Sequence, residues 1–290
     1  MIKIGVVGAS GFVGGRLCEM AAEARLEVVR FSRVARAGYR GPEKGGGWDF
    51  SGLDAVVNLA GEPVLGLWTE DKKRRILESR VEGTRRVVEA MRKEDGPGVL
   101  VNASAIGFYG DTGERAVDEG SAAGAGFLAE TCEAWEAEAE PAVVAGKRVV
   151  SVRTGFVVGQ GGAMKLVMPI FRLGLGGNLG NGRQWMSCVH VDDVAGIFLW
   201  AVTNPDVTGP VNAVMPEAVR NSDFTRELAA AMGRPAFLPA PAFALRTVLG
   251  GMSHVMLDSA RVVPRVVLEK GFEFRYPTLE AAFQAVVSSK

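Results

Sequence analysis

The chain has 290 residues, 48% of them hydrophobic, which is enough for a large buried core and for one sizeable domain with an appended lobe. Lys plus Arg and Asp plus Glu each number 33, so the net charge is zero and the basic excess usual in nucleic-acid binders is missing. With only His190 and His254, and with Cys18, Cys132 and Cys188 far apart, neither a histidine-rich metal site nor a disulfide framework is expected.

In chain order, Ile2–Val7 is a short apolar run ending in glycine and reads as a buried parallel strand. Phe12–Ala24 has helical spacing, Leu26–Phe31 reads as a second strand, and the Gly- and Arg-rich stretch Arg33–Gly47 reads as a loop. Ala55–Leu59 is a third strand. Thr69–Lys93 reads as a long amphipathic helix, with Thr69 as N-cap and Glu70 and Asp71 in its first turn. Val99–Ala103 is a strand, Gly126–Glu140 a helix expected to stop at Pro141, and Arg148–Val152 a strand. Beyond Thr154 two glycine-dense stretches, Gly159–Gly162 and Gly174–Gly182, bracket a helix. Then come a helix at Asp192–Thr203, a strand at Pro210–Val214 and a helix at Asn221–Met232 closed by Gly233 and Pro235. The tail, Ala236–Lys290, reads as mostly helical, with a Phe/Tyr-rich turn at Gly271–Pro277.

This alternation predicts an α/β fold: a Rossmann doubly wound parallel sheet with a smaller, mostly helical C-terminal substrate lobe. The dinucleotide-binding domain is placed at 1–155, with 190–214 returning to the sheet, and the lobe at 156–189 and 215–290. No run reaches the ~18–20 apolar residues a membrane span needs, and Met1–Val7 is too short and lightly charged for a signal peptide. Cytoplasmic residence is expected, with a small-molecule substrate, no nucleic-acid or membrane partner, and a monomeric or homodimeric state.

Gly8-Ala9-Ser10-Gly11-Phe12-Val13-Gly14 lies directly between the first strand and the first helix. Gly8 would permit the tight turn out of the strand, Gly11 the approach of a pyrophosphate to the backbone, and Gly14 close packing of the helix. The free N–H groups of the helix start would face the phosphates. At the end of the second strand, where NAD-specific sites carry Asp or Glu, this chain has Phe31-Ser32-Arg33. A hydroxyl and a guanidinium suit a 2′-phosphate, so NADP(H) is the expected cofactor.

The Gly-x-x-Gly-x-x-Gly spacing, Asn58-Leu59-Ala60-Gly61, Asn102-Ala103-Ser104-Ala105 with Tyr109-Gly110, and His190-Val191-Asp192-Asp193 resemble the extended branch of the short-chain dehydrogenase/reductase superfamily. Trp68-Thr69, Ser79-Arg80, Gly126-Phe127-Leu128-Ala129-Glu130, Arg153-Thr154-Gly155, Phe171–Gly177, Gln184-Trp185-Met186-Ser187 and Gly271–Pro277 resemble its "epimerase family" members, sometimes labelled cell-division inhibitors. The resemblance runs over essentially the whole chain. It implies that Ser32, Arg33, Leu59, Ala60, Gly61, Arg80, Ala103, Gly155 and Phe156 line an NADP(H) site together with Gly8, Ser10, Gly11, Phe12, Val13 and Gly14.

Catalysis in that superfamily uses a Ser or Thr, a Tyr and a Lys four residues on. Ser104 stands in place, but Phe127 and Thr131 occupy the expected Tyr and Lys positions. Tyr109, Glu130 and His190 are the alternative proton carriers. Met186 and Ser187 replace the Arg-Asp pair with which related nucleotide-sugar epimerases grip a diphosphate, so such a substrate is disfavoured. Three readings follow. The first is an NADP(H)-dependent oxidoreductase acting on a small apolar carbonyl, favoured by Ser104 and by a pocket of Trp68, Trp185, Met186, Phe171 and Met168. The second is a non-catalytic NADP(H) sensor or regulatory protein, favoured by the missing Tyr–Lys pair. The third, an epimerase or dehydratase, is opposed by Met186.

Overall fold

A computed structural model describes residues 2–34, 36–43, 46–93 and 95–288. Met1 of the N-terminus, Ala35, Lys44 and Gly45 of the expected loop, and Ser289 and Lys290 of the tail lie outside the described residues.

Six strands form the central sheet: β1 Lys3–Val7, β2 Glu27–Phe31, β3 Ala55–Asn58, β4 Val99–Ala105, β5 Arg148–Thr154 and β6 Gly209–Ala213. Their order is β2-β1-β3-β4-β5-β6, and every neighbouring pair is parallel. Strands β3 and β4 are almost wholly buried, as expected of a sheet covered on both faces. Chain order reverses between β1 and β3, so the crevice where a doubly wound sheet takes its ligand opens at Val7–Gly8 and Asn58–Leu59.

The helices are α1 Phe12–Glu23, α2 Glu70–Met91, α3 Phe127–Ala137, α4 Met164–Arg172, α5 Val191–Thr203, α6 Asn221–Met232, α7 Ala242–Leu249 and α8 Leu279–Ser288. Thr69 caps α2 as expected, its side chain accepting from the Lys72 N–H at 3.1 Å. Gly233 closes α6 in the left-handed conformation, φ +60°. Between β2 and β3 the described chain forms no helix, which leaves the long loop to fold back through the Phe31–Arg40 bridge.

Pro141 does not stop α3, contrary to expectation. That helix ends at Ala137, and Pro141 sits in the first turn of a separate short helix, Glu140–Val144, where its missing N–H has no acceptor to satisfy. Strands β4 and β5 also run two residues further than expected, because each pairs with the other along its full length.

The lobe packs its own apolar core, built from Val158, Met164, Met168, Phe171, Phe224 and Phe283 among others. A short two-stranded ladder, Trp185–Met186 with Val219–Arg220, lies within the lobe, and another, Ala116–Val117 with Arg261–Val262, joins the lobe to the Rossmann half. The tail is locked to the Rossmann unit at Asp193, which is 2% exposed and accepts from the backbone N–H groups of Arg275 and Tyr276 at 2.6 and 3.0 Å.

Candidate functional site

The first strand delivers the chain into a turn at Gly8, where φ is +89°. A Cβ there would stand 2.8 Å from the Leu59 carbonyl carbon, so only glycine lets β1 and β3 end side by side. Gly11 caps α1 without a side-chain acceptor. The N–H groups of the first turn therefore open outward as a ready anion site. Gly14 packs on the turn: a Cβ would lie 2.3 Å from the Gly8 carbonyl oxygen. The phenyl ring of Phe12 is seated against Gly159, Gly161 and Gly162, which explains the first glycine-dense stretch as a steric fit to that ring. Val13 packs on the main core and Ser10 is exposed.

A cleft of about 460 Å³ continues from this turn, lined by Val7, Ala60, Arg33, Trp48 and one face of α2. That face is Arg75, Glu78, Ser79, Glu82, Gly83 and Arg86, which follow one another at helical spacing. The acids in the cleft lie near cations that they partly share: Lys72 meets Glu62 at 2.7 Å, Arg74 reaches Glu78 at 3.9 Å while bonded to Asp71, and Arg85 bonds both Glu82 and Glu138. The Lys72 ammonium holds the Glu62 carboxyl below the usual carboxylate range. Arg33 and Arg86, by contrast, have no carboxylate within ion-pair distance among the described residues. The cations the cleft has to offer an anionic ligand are therefore Arg33 and Arg86. Ser32 uses its hydroxyl on the Val34 backbone at 2.9 Å, which shapes the turn that presents Arg33.

Arg80 lies beneath Gly61, with its guanidinium carbon 3.2 Å from where a Gly61 Cβ would be. It donates to the carbonyls of Glu62 and Ile76 at 3.0 Å each and stacks over Trp135 at 5.0 Å. Burial lowers its pKa. Leu59 and Ala60 are fixed by the β1 backbone and by Asn58, whose amide joins Thr84, Asn102 and, through Thr84, the Trp135 indole. Nothing in the residue spacing announced this buried polar network, because its members come from four different elements.

Of the expected catalytic residues, Ser104 and Tyr109 meet in one buried network and Glu130 is not part of it. The Ser104 hydroxyl is 3% exposed and donates to Glu136 at 2.6 Å. Glu136 is clasped by Arg153 through two bonds of 2.9 and 2.8 Å, and Arg153 also donates to the Tyr109 hydroxyl at 2.9 Å. Tyr109 in turn donates to Asn212 at 2.7 Å, and desolvation raises its pKa. Ser104 and Tyr109 are thus two ends of one buried ion-pair network. Ala103, just before Ser104, is buried and pairs with Val152. Phe127 packs edge-on against Trp68, Thr131 bonds the Phe127 carbonyl, and Glu130 is exposed. Gly155 fits against the Ser187 carbonyl, and the Phe156 ring turns into the lobe core against Phe224.

The expected apolar pocket also disperses. Met168 and Phe171 are core. Trp185 is sandwiched between Arg220 and Arg261 and donates to Glu114 at 3.0 Å. Hydrogen bonds from Arg220 and Trp185 hold the Glu114 carboxyl at a pKa of about 2. Met186 accepts from Asn221, and Ser187 bridges Ala260 and Val262, so neither stands free to grip a substrate. A separate lobe cleft of about 440 Å³ lies between Gln184, Asn181 and Gly180 on one side and Ala242, Arg246 and Leu257 on the other.

His190 acts as the N-cap of α5, its Nδ1 accepting from the Asp192 N–H at 3.2 Å while its ring packs on Tyr276. Burial lowers its pKa below the ordinary 6.5. The unfolded chain therefore takes up this proton more readily than the folded one. Stability from this group is complete above the unfolded pKa and declines as pH falls below it. Over about pH 7 to 5, His190→Asn, which keeps a capping side chain, is expected to show a shallower fall in urea midpoint than the wild type. Equal slopes would rule out this role. Burial also pushes the thiols of Cys132 and Cys188 up to about 11 and 12, which excludes them as nucleophiles near neutral pH. No cluster of potential metal ligands occurs among the described residues.

Residues 4–214 match the model of the NAD dependent epimerase/dehydratase family, and residues 240–286 match a domain of unknown function, DUF1731. The chain is 36% identical to the chloroplastic epimerase family protein SDR39U1 homolog of Arabidopsis thaliana, over 99% of this chain and 87% of that one. It is 33% identical to the epimerase family protein YfhF of Bacillus subtilis, over 100% and 99%. The crystal structure of human epimerase family protein SDR39U1 (isoform 2) with NADPH superimposes with a TM-score of 0.93, at 31% identity and full coverage of both chains.

Proposed function

Since this chain belongs to the NAD dependent epimerase/dehydratase family of the short-chain dehydrogenase/reductase superfamily, we propose that it binds NADP(H) in the crevice between β1, β3 and α2 and works as a cofactor-responsive regulatory protein. The observation that carries the cofactor is the pairing of a glycine-opened helix start with two guanidiniums, Arg33 and Arg86, that lack carboxylate partners. The pyrophosphate would take the amides of the α1 first turn, and the 2′-phosphate would take Arg33. The NADPH bound to the human relative supports the same choice.

The regulatory reading rests on where the reactive groups are. Ser104 and Tyr109 spend their hydroxyls on a buried ion pair, and Phe127 holds the position where a proton donor would be needed. The apolar residues that favoured a reductase are core or cation-sandwiched. Bound nicotinamide supplies hydride chemistry. Glu130, exposed on α3 one turn beyond Phe127, is a group that could move a proton there, and it favours the second reading: an oxidoreductase acting on a small apolar carbonyl. Cytoplasmic residence belongs to the same proposal, supported by three free, buried cysteines; so does a monomeric or homodimeric state.

Calorimetry with NADPH and NADH tests the cofactor. Arg33→Ala is expected to weaken NADPH about tenfold or more while leaving NADH nearly unchanged. Equal losses for both would remove the 2′-phosphate contact, and no binding of NADPH would remove the whole reading. Nicotinamide absorbance in the presence of a panel of carbonyl compounds tests the role. Tight binding without turnover is expected, whereas turnover abolished by Glu130→Gln would establish the reductase instead.

A further inference from the structure

The charge of the chain is balanced overall but not along its length. No Asp or Glu occurs between residues 141 and 191, nor between 228 and 257. The fold brings these two acid-free stretches together. The segment after α4 runs beside the segment before α7: the Leu238 N–H donates to Gly176, Gly180 to Ala240 and Ala240 to Asn178, and Gly174 packs on Pro235.

The surface they share is apolar where apolar residues should not be exposed. On α4, Leu166, Ile170 and Leu173 recur at helical spacing on the side away from the buried Met164, Met168 and Phe171. The stripe continues through Leu175 to Phe237 and Phe243. Leu173, Phe237 and Phe243 are 74%, 71% and 73% exposed. Helix α7 buries none of its residues. Around this face stand Lys165, Arg172, Arg234 and Arg246, all exposed and none with an ion-pair partner among the described residues. The acid at its margin, Asp258, is bonded to His254 and is also within electrostatic reach of Arg246 without forming an ion pair with it.

We infer that this face of the lobe docks on an anionic lipid surface. Leucines and phenylalanines set in a rim of unpaired cations match a bilayer interface: the rings and branched chains enter the acyl boundary and the cations meet the headgroup phosphates. A second copy of the chain fits less well, because pairing this face with itself would oppose cation to cation. The lack of a spanning helix among the described residues bears on crossing a membrane, not on resting against one.

Co-sedimentation of the full chain tests this, with vesicles of phosphatidylcholine alone and with vesicles of which about a third is phosphatidylglycerol. Binding is expected to the anionic vesicles and little to the neutral ones. Leu166→Glu with Phe243→Glu is expected to abolish it. Arg172→Gln with Arg246→Gln is expected to reduce partitioning about fivefold per cation removed. Both variants change exposed residues outside the dinucleotide cleft, so retained NADPH binding and an unchanged urea midpoint establish that they are folded. The inference is overturned if wild type ignores anionic vesicles, or if both variants bind them as wild type does. It is equally overturned if Leu166→Glu with Phe243→Glu abolishes a self-association in solution without vesicle binding, or if soluble polyglutamate is bound and vesicles are not.

Discussion

Arg153→Met is expected to destabilise the fold by about 3–5 kcal/mol, read as a lowered urea midpoint at unchanged slope. Arg153 is 4% exposed, and its guanidinium serves Glu136 twice and Tyr109 once while lying over the Phe108 ring at 3.4 Å. Methionine fills much of the same space but leaves the Glu136 carboxylate with only the Ser104 hydroxyl. A buried charge stripped of its counter-ion is costly, whereas removing both charges is often close to neutral. The double variant Arg153→Met, Glu136→Met should therefore recover more than half of the loss. A single variant within about 1 kcal/mol of wild type, or a double variant no better than the single, would show that the pair is not what joins β4, α3 and β5. The same experiment bears on function. If Ser104 belongs to this structural pair, Ser104→Ala should change stability by about 1 kcal/mol while leaving NADPH affinity alone.

Much of the Rossmann half was legible because its signals are local. A buried strand, a glycine turn and an amphipathic helix each declare themselves within about a dozen residues. The cleft face of α2 went unread: Arg75, Ser79, Glu82 and Arg86 repeat at helical spacing, but charged residues are spread round most of that helix, and only Arg80 was expected to line the site. Arg80 is not among the residues lining the cleft, and its cation is held under Gly61 by two backbone carbonyls. What stayed hidden is non-local. Ser104 and Glu136 are 32 residues apart, and Tyr109 and Asn212 are 103 apart; no pattern in the chain ties them. Two-residue strands such as Arg261–Val262 are too short for any alternation to show. Hydrophobicity, for its part, does not distinguish a pocket wall from a core, which is why Met168 and Trp185 were grouped with Trp68 although the fold scatters them. Pro141 was misread because proline ends one helix and begins the next with equal ease.

Gly14→Ala is the change expected to cost most in cofactor binding. A single Cβ at this position would stand 2.3 Å from the Gly8 carbonyl oxygen and 3.0 Å from the Ala9 Cα. Neither neighbour can give way cheaply. Gly8 is wedged against the Leu59–Ala60 backbone, and its carbonyl already accepts from the Gly11 N–H at 3.0 Å. The strain must therefore push the start of α1 away from the turn. That spreads the amides which have to converge on one pyrophosphate, and NADPH affinity should fall about a hundredfold or more. Its neighbour is the control. Gly15 lies in the same helix, and its Cβ would meet only the Ala9 carbonyl oxygen, at 3.9 Å. Gly15→Ala should leave NADPH binding intact and add up to about 1 kcal/mol of stability, because alanine gives up less backbone entropy in a helix. Should Gly14→Ala bind NADPH within about threefold of wild type, the tight packing of α1 on the β1 turn would not be what shapes the phosphate site. If both substitutions weaken binding alike, the loss would follow from disturbing α1 in general rather than from closing the one gap that glycine leaves at position 14.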